Sequence, residues 1–314
     1  MTNKIYVKPV GGLCNRIRVI DSFLTLAKEV EKSLVVVWEK NSELNCSWDD
    51  LFQHHAEFEL IETKAVYGWS LPFFPNRIPT SFLGRKLYDR TRSNYGFENE
   101  IFFDDLAERL KELQPVTPEK YPYVAQFDSK ACGQFAEFKT GLTSPSSNYV
   151  ATCWRINEGP RYGERFHPTD SIDSQVKAIV DSFNEFTFGV HIRGTDAEIA
   201  KKHSNVDAFR NRIDAIISDH AEARFFLATD EPAIKEDLIQ CYGDRILFFE
   251  QAGYSRSSSE NIRNALIDLL CLSRTREVLG SYFSTFSNMA AQWHGITETT
   301  IFKNKDQKEK ATVK

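Results

Sequence analysis

The chain has 314 residues, 41% of them hydrophobic, 24 of them phenylalanine, and a formal net charge of −5. That length fits about two domains and supplies a large core. The acidic balance gives no global attraction to nucleic acid or anionic lipid, so general DNA or RNA binding is disfavoured and only a local basic site stays open.

Lys4 to Val10 predicts a first strand. Gly11 and Gly12 follow, then apolar residues at Leu13, Ile17, Ile20, Leu24 and Ala27, a helical spacing. The glycines let a backbone approach a ligand, and the helix start turns free N–H groups toward it with Asn15, Arg16 and Arg18 in the first turns. A phosphate or sugar site and an ordinary βα turn are both open there. Gly-Gly-x-x-Asn-Arg is neither a P-loop nor a dinucleotide fingerprint. Cys14 has no base nearby in sequence that would make it a nucleophile.

Ser33 to Trp38 reads as a strand buried on both faces, because its apolar run is continuous. A polar loop, Asn41 to Ser47, leads to a short helix at Trp48 to Phe52 capped by Ser47. From Glu57 to Pro79 the pattern breaks into aromatic and proline punctuation, with Tyr67, Trp69, Phe73 and Phe74 among three prolines. Those rings suit either packing of an irregular segment or a sugar-stacking surface. Lys139 to Asn148 is a loop, and Tyr149 to Trp154 a strand. The arginines that follow, Arg155, Arg161 and Arg165, are either phosphate contacts or solvated loop charges.

Beyond Pro168 the alternation is regular. Asp170 caps a helix carrying Ile172, Val176, Ile179, Val180 and Phe183 on one face. The strand Phe188 to Ile192 ends in Arg193-Gly194-Thr195-Asp196. A helix through Val206, Phe209, Ile213, Ile216 and Ile217 leads to the strand Arg224 to Ala228, which ends at Thr229-Asp230. A helix from Pro232 leads to the strand Arg245 to Phe249. A Gly- and Ser-rich loop, Gln251 to Glu260, precedes the helix Asn261 to Ser273, the strand Glu277 to Gly280 and the helix Ser284 to Trp293. The end is a polar, lysine-rich tail.

Strands alternating with amphipathic helices on short loops require parallel pairing with helices on both sheet faces. The expected fold is α/β, with two Rossmann-like doubly wound domains facing a cleft. The expected bounds are 1–168, 169–303 and a tail at 304–314. In such sheets ligands sit beyond the carboxyl ends of the strands. His191, Arg193 and Asp196, then Asp230, then Ser284 and Thr285 all fall there, so three separate segments open on one rim. Asp268 lies inside a helix, where a solvated face and a base-binding carboxylate are both open.

No apolar run approaches a bilayer span, and the opening residues lack a signal-peptide pattern. The six cysteines are scattered without a close pair, which predicts free thiols and no zinc or redox motif. A cytoplasmic protein without a transmembrane segment is the expectation.

His191-x-Arg193-x-x-Asp196 after a strand, the turn Ala228-Thr229-Asp230-Glu231-Pro232, and Asp268 followed by Tyr282-Phe283-Ser284-Thr285-Phe286-Ser287 resemble, in order, the three motifs of the fucosyltransferase superfamily. Gly11-Gly12-Leu13-Cys14-Asn15-Arg16 is similar to the glycine-rich entry of its N-terminal domain. The resemblance covers most of the second half, the first thirty or so residues less fully, and the middle hardly at all. It implies a GT-B enzyme with GDP-fucose held mainly by the C-terminal domain and a carbohydrate acceptor on the N-terminal one. Arg193 would match the arginine on the diphosphate, and His191 and Asp268 residues that contact the guanine nucleotide. Asp230 would match the second motif's carboxylate, and Ser284 with Thr285 the hydroxyls near the phosphates.

Fucosyl transfer builds negative charge on the departing diphosphate. A planar guanidinium, hydroxyls and helix-start N–H groups can neutralise it, so no cofactor or metal is required. The α1,6 branch has a second arginine where this chain has Gly194, a lysine at Ala197, an acceptor-side glutamate at Lys201 and a glutamine at Phe286. Glu198 stands close by, readable as the base for an acceptor hydroxyl or as a helix-start carboxylate. The resulting expectation is a metal-independent inverting transferase acting from GDP-fucose on an oligosaccharide or glycoconjugate. A transferase of another nucleotide sugar and a non-catalytic nucleotide- or glycan-binding protein are the rivals.

Overall fold

The computed structural model describes residues 3–66, 69–101, 140–153, 155, 161–194, 203–251, 253–282 and 284–303. Asp196, Glu198, Lys201 and the tail lie outside them. The chain divides into two compact units, Met1–Pro160 with Ser255–Ile262, and Arg161–Tyr254 with Arg263–Lys314. The excursion of 255–262 into the first unit has no signal in the sequence. It is held there by Asn45, whose N–H donates to the Arg256 carbonyl at 3.1 Å and whose side-chain amide donates to that of Ser257 at 2.8 Å.

In the first unit, β1 (Lys4–Pro9), α1 (Leu13–Glu29), β2 (Ser33–Lys40), β3 (Phe58–Lys64), α2 (Phe82–Tyr95), β4 (Phe97–Ile101) and β5 (Ser147–Thr152) form in order. The sheet is parallel with order β3-β2-β1-β5-β4, so the chain reverses its direction of travel beside β1. Six of the eight β2 residues are buried, as its continuous apolar text requires. Aromatic rings fill one face: Phe74, Phe97 and Tyr149 lie within 6.4 Å of one another by centroid. Trp48 to Phe52 is a single turn rather than the expected helix, closed by Leu51 and Phe52 N–H groups on the Trp48 carbonyl, both at 2.9 Å. Within the stretch read as irregular, Phe58–Lys64 is a parallel edge strand. Its exposed or half-exposed positions carry Glu59, Glu62 and Lys64, which hide it from a hydrophobic pattern.

The second unit contains α3 (Tyr162–Arg165), α4 (Asp170–Val180), β6 (Thr187–Ile192), α5 (Val206–Asp219), β7 (Arg224–Thr229), α6 (Pro232–Tyr242), a 3-10 turn (Gly243–Arg245), β8 (Ile246–Leu247), α7 (Ser259–Leu272, entering from the first unit), β9 (Glu277–Ser281), α8 (Thr285–His294) and β10 (Thr297–Ile301). Its sheet is again parallel, with order β10-β9-β6-β7-β8. Every residue of β6 is buried. Thr169, not Asp170, occupies the N-cap of α4, and Asp170 and Asp173 instead place negative charge in its positive first turn. β10 adds a strand that the sequence does not announce, because Thr297-Glu298-Thr299-Thr300 carries little apolar signal at a sheet edge.

Candidate functional site

From β6 the chain moves to β7 and β8 on one side, then crosses back to β9 and β10 on the other. Beside β6 the connections leave in opposite directions, which opens a crevice at the carboxyl ends of the strands. The β6–β9 ladder runs Gly189↔Val278, Val190↔Leu279 and His191↔Gly280 and then stops. Past that point Ser281 bridges the strands. Its hydroxyl accepts from the Arg193 N–H at 3.0 Å and donates to the His191 carbonyl at 3.2 Å.

The β7 end approaches from the other side. Asp230 accepts the Gly194 N–H at 2.6 Å. A side chain at Gly194 would run into Glu231, whose Cβ lies 2.7 Å from the site of an added Cβ and whose carboxylate lies closer still. The glycine is therefore what lets the β6 and β7 turns approach, and the arginine of the α1,6 branch has no room here.

His191 is 8% exposed, with its Nδ1 3.3 Å from the Ser284 hydroxyl and its ring stacked on Phe286 at 4.8 Å. Burial drives its pKa down to about 4; Asp230 resists this and Arg193 reinforces it. The ring is neutral at ordinary pH. Ser284 caps α8, accepting the Phe286 N–H at 3.3 Å, and Thr285 is the first helical residue with no acid in the first turn. Positive helix-end potential thus remains uncompensated by a side chain of that turn.

Asp268 is 5% exposed on α7. Its Oδ2 accepts from Gln251 at 2.8 Å, whereas Oδ1 has no hydrogen-bond partner among the described residues. Burial pushes its pKa up to about 7, against the opposing effects of the Gln251 hydrogen bond and Lys235. Tyr254 lies within electrostatic reach of Asp268, Glu250 and Asp230, and its phenol is raised chiefly by burial. The solvated reading of Asp268 is excluded. A buried carboxylate with one oxygen satisfied and the other open is an acceptor prepared for donors.

His191, Arg193, Asp230, Ser284 and Thr285 thus converge, with Asp268 in the neighbouring part of the same unit. Ser281, Gln251, Tyr254 and Glu231 join them without having been singled out as site residues. For Ser281 the available signal is its place as the first polar residue after a strand; Gln251 and Tyr254 lie in a loop whose composition announces nothing.

The glycine turn belongs to the first unit. Gly11 has φ +95°, and Gly12 caps α1 without a side-chain bond. Asn15 packs against Gly11, 3.0 Å from where its Cβ would stand. Arg16 is fully buried and turned inward: it donates to the carbonyls of Gly11, at 2.7 Å, and Glu39, and to the Asn41 side chain at 3.0 Å. Trp38 covers it, 5.1 Å away. Of the two readings open for Arg16, the enclosed guanidinium favours the structural one, in which it fixes the turn from behind. Arg155 is likewise neither a solvated charge nor open to phosphate; it is 7% exposed and 3.7 Å from buried Asp21.

Among the described residues, no group of three or more His, Cys, Asp or Glu side chains is arranged to hold a metal, and no helix is long and apolar enough to cross a membrane. No family model and no curated protein matches the chain. Solved structures do. A NodZ alpha-1,6-fucosyltransferase soaked with GDP-fucose matches with TM-score 0.55 at 15% identity, covering 93% of each chain. POFUT1 in complex with GDP matches at 0.51 and 10%, covering 96% of this chain and 99% of that one. A mutant of Arabidopsis thaliana FUT1 in complex with GDP matches at 0.54 and 14%, covering 97% and 71%. At such identities the likeness establishes the fold, and the fold is the α/β, GT-B architecture of these fucosyltransferases.

Proposed function

We propose that the chain is a metal-independent, inverting glycosyltransferase that moves fucose from GDP-fucose to a hydroxyl of an oligosaccharide or glycoconjugate. In this reading the second unit holds the donor and the first serves the acceptor. The observation that carries it is the buried Oδ1 of Asp268, which has no partner among the described residues. Guanine presents two adjacent donors, N1–H and the 2-amino group, which a carboxylate can accept; adenine offers an acceptor at N1. The likeness to solved fucosyltransferases bound to GDP or GDP-fucose supports the same donor.

The diphosphate is assigned to the end of β6 and the start of α8. Arg193 supplies a charge able to bind two oxygens, and Ser284, Thr285 and the first N–H groups of α8 supply neutral donors. His191, kept neutral by burial, offers its ring as a neutral hydrogen-bonding group, with Phe286 stacked on it. In the transfer step the acceptor oxygen forms its bond to the anomeric carbon from the face opposite the diphosphate. The carbon–oxygen bond to GDP breaks with its electron pair leaving on phosphate, while a base takes the acceptor proton. Glu198 is the proposed base, and Asp196 completes the proposed donor set with Asp230. Gly11, Gly12 and Asn15 offer a backbone-lined turn for a sugar or phosphate.

Calorimetric titration with GDP, UDP and ADP in EDTA, repeated on Arg193→Ala, tests this reading. Selective GDP binding that is lost in the variant is expected, and in a fucosyl-transfer assay the variant's turnover should be lower by roughly 10²–10³, the usual worth of one preorganised donor at developing charge. A folded chain that ignores GDP, or binds all three alike, overturns the donor assignment.

A further inference from the structure

All six exposed large apolar side chains among the described residues fall in one stretch of the first unit. They are Val66 (54% exposed), Trp69 (36%), Leu71 (74%), Ile78 (63%), Phe82 (75%) and Leu83 (59%). Exposed apolar residues scattered singly are ordinary, but confinement to one place marks an interaction surface.

The packing around Gly84 draws them together. A Cβ at Gly84 would lie 3.2 Å from the Trp69 ring, 3.1 Å from Pro79 and 2.8 Å from the Ser81 hydroxyl. The segments carrying Trp69 and Ile78 therefore meet on the first turn of α2, where Phe82 and Leu83 stand. Val66 is tied to Trp69 by a pair of backbone hydrogen bonds at 2.6 and 3.0 Å.

The same face is basic. Arg77, Arg85, Lys86 and Arg90 are exposed, and Asp89 is the single acid between Val66 and Tyr95. Phe82, Lys86 and Arg90 follow one another at four-residue spacing, hence along one stripe of α2, and the Lys86 ammonium lies 4.5 Å from the Phe82 ring centroid. On a chain of net charge −5 this is a local reversal of sign.

We propose that this face docks the chain onto an anionic lipid bilayer. Leu71, Ile78, Phe82 and Leu83 enter the boundary between headgroups and acyl chains, while the four cations reach back along their aliphatic stems to the phosphates. The charge pattern selects this occupant. A second copy of the chain in a two-fold dimer would set one basic rim against another, whereas a negatively charged surface meets the cations and repels the rest of the acidic chain. The assignment is independent of the GDP-fucose site, since none of its residues belongs to the donor-binding set proposed there.

The test is flotation of the full chain with vesicles of phosphatidylcholine alone and of phosphatidylcholine containing about a third phosphatidylglycerol, at low and high salt. Binding to the anionic vesicles that weakens with salt is expected. Lys86→Gln with Arg90→Gln should weaken it about 25-fold, at about fivefold per cation. Phe82→Ser with Leu83→Ser should weaken it roughly tenfold or more. Both pairs are exposed, so thermal melting should match the parent and separates loss of docking from loss of fold. The proposal is overturned if the parent stays with the soluble fraction on both vesicles, binds both equally, or is unaffected by both variants. It also falls if the parent is a dimer that Phe82→Ser with Leu83→Ser makes monomeric, which would identify the occupant as a second copy.

Discussion

The hydroxyl of Ser281 holds the backbone of Arg193, accepting its N–H at 3.0 Å one step beyond the last rung of the β6–β9 ladder. Because the same hydroxyl donates to the His191 carbonyl, it fixes the direction in which the chain leaves β6. Ser281→Ala leaves a donor and an acceptor in a site that is 2% exposed. Urea unfolding should then show a loss of about 1–3 kcal/mol. On the proposed function GDP should bind several-fold more weakly, and Ser281→Thr, which keeps the hydroxyl, should restore most of the affinity. Equal losses in both variants would argue for packing rather than for the hydrogen bonds.

Asp268 and His191 carry opposite pH signatures. The Asp268 carboxyl, pushed up to about 7 by burial, is worth most to the fold below its unfolded value near 4 and loses that worth as pH rises through 7. His191, drawn down to about 4 by burial, contributes nothing adverse above its unfolded value near 6.5 and costs stability as pH falls from there toward 4. Asp268→Asn should therefore gain on the parent as pH rises from about 4 to about 7, by an amount on the order of a few kcal/mol, since each tenfold difference in proton affinity between folded and unfolded chain is worth about 1.4 kcal/mol. His191→Gln should show the reverse trend between about 6.5 and 4. Urea titrations of both variants and the parent across this range decide the matter; parallel curves would mean that burial perturbs neither group. On the proposed function, GDP affinity of the parent should also rise with pH through about 7, because only the ionised carboxylate accepts two donors.

Arg16 turns a motif that looked like ligand chemistry into part of the frame. Its guanidinium is pulled down to about 10 by burial yet stays charged at neutral pH, with Glu39 and Glu43 favouring the charge. Glu39 is also paired with buried Lys8 at 2.9 Å. Arg16→Leu should destabilise the chain by about 3–5 kcal/mol, the usual result of removing one member of a buried charged network. Chemical denaturation would reveal it; a stability within about 1 kcal/mol of the parent would show that water replaces the guanidinium.

Most of the second half was legible because β6, β7 and β9 are buried almost throughout and the helices between them keep an apolar face, so the period of the text and the fold coincide. In β10 only Ile301 is buried, and that strand gave no such signal. Strand order was not legible, and with it the meaning of Ser281, whose importance comes from lying where β9 parts from β6. The same limit applies to Arg16. A cation at a helix start reads as a phosphate contact until Glu39 and Asn41, from the end of a neighbouring strand, are seen to enclose it. Asp268 shows the converse, since its place between Ile267 and Leu269 left two readings open and only the packing of α7 removed the solvated one.

Gly194 and Glu231 make a steric pair whose geometry yields a graded expectation. Gly194→Ala puts a methyl group into both the carboxylate and the Cβ of Glu231, which stands 2.7 Å away, so the β6 and β7 turns must separate. That movement would stretch the 2.6 Å bond from the Gly194 N–H to Asp230 and swing Arg193 with it. The variant should melt lower, with a cost of about 1–3 kcal/mol as for other overpacked sites, and on the proposed function should lose GDP affinity. Adding Glu231→Ala removes the carboxylate but keeps the offending Cβ, so rescue should be partial; adding Glu231→Gly removes both and should rescue more, apart from the helix-start cost of the glycine itself. Thermal melts and GDP titrations of the two double variants against Gly194→Ala check the order. If Glu231→Ala rescues as fully as Glu231→Gly, the carboxylate alone sets the limit; if neither rescues, a contact of the added methyl other than Glu231 sets it.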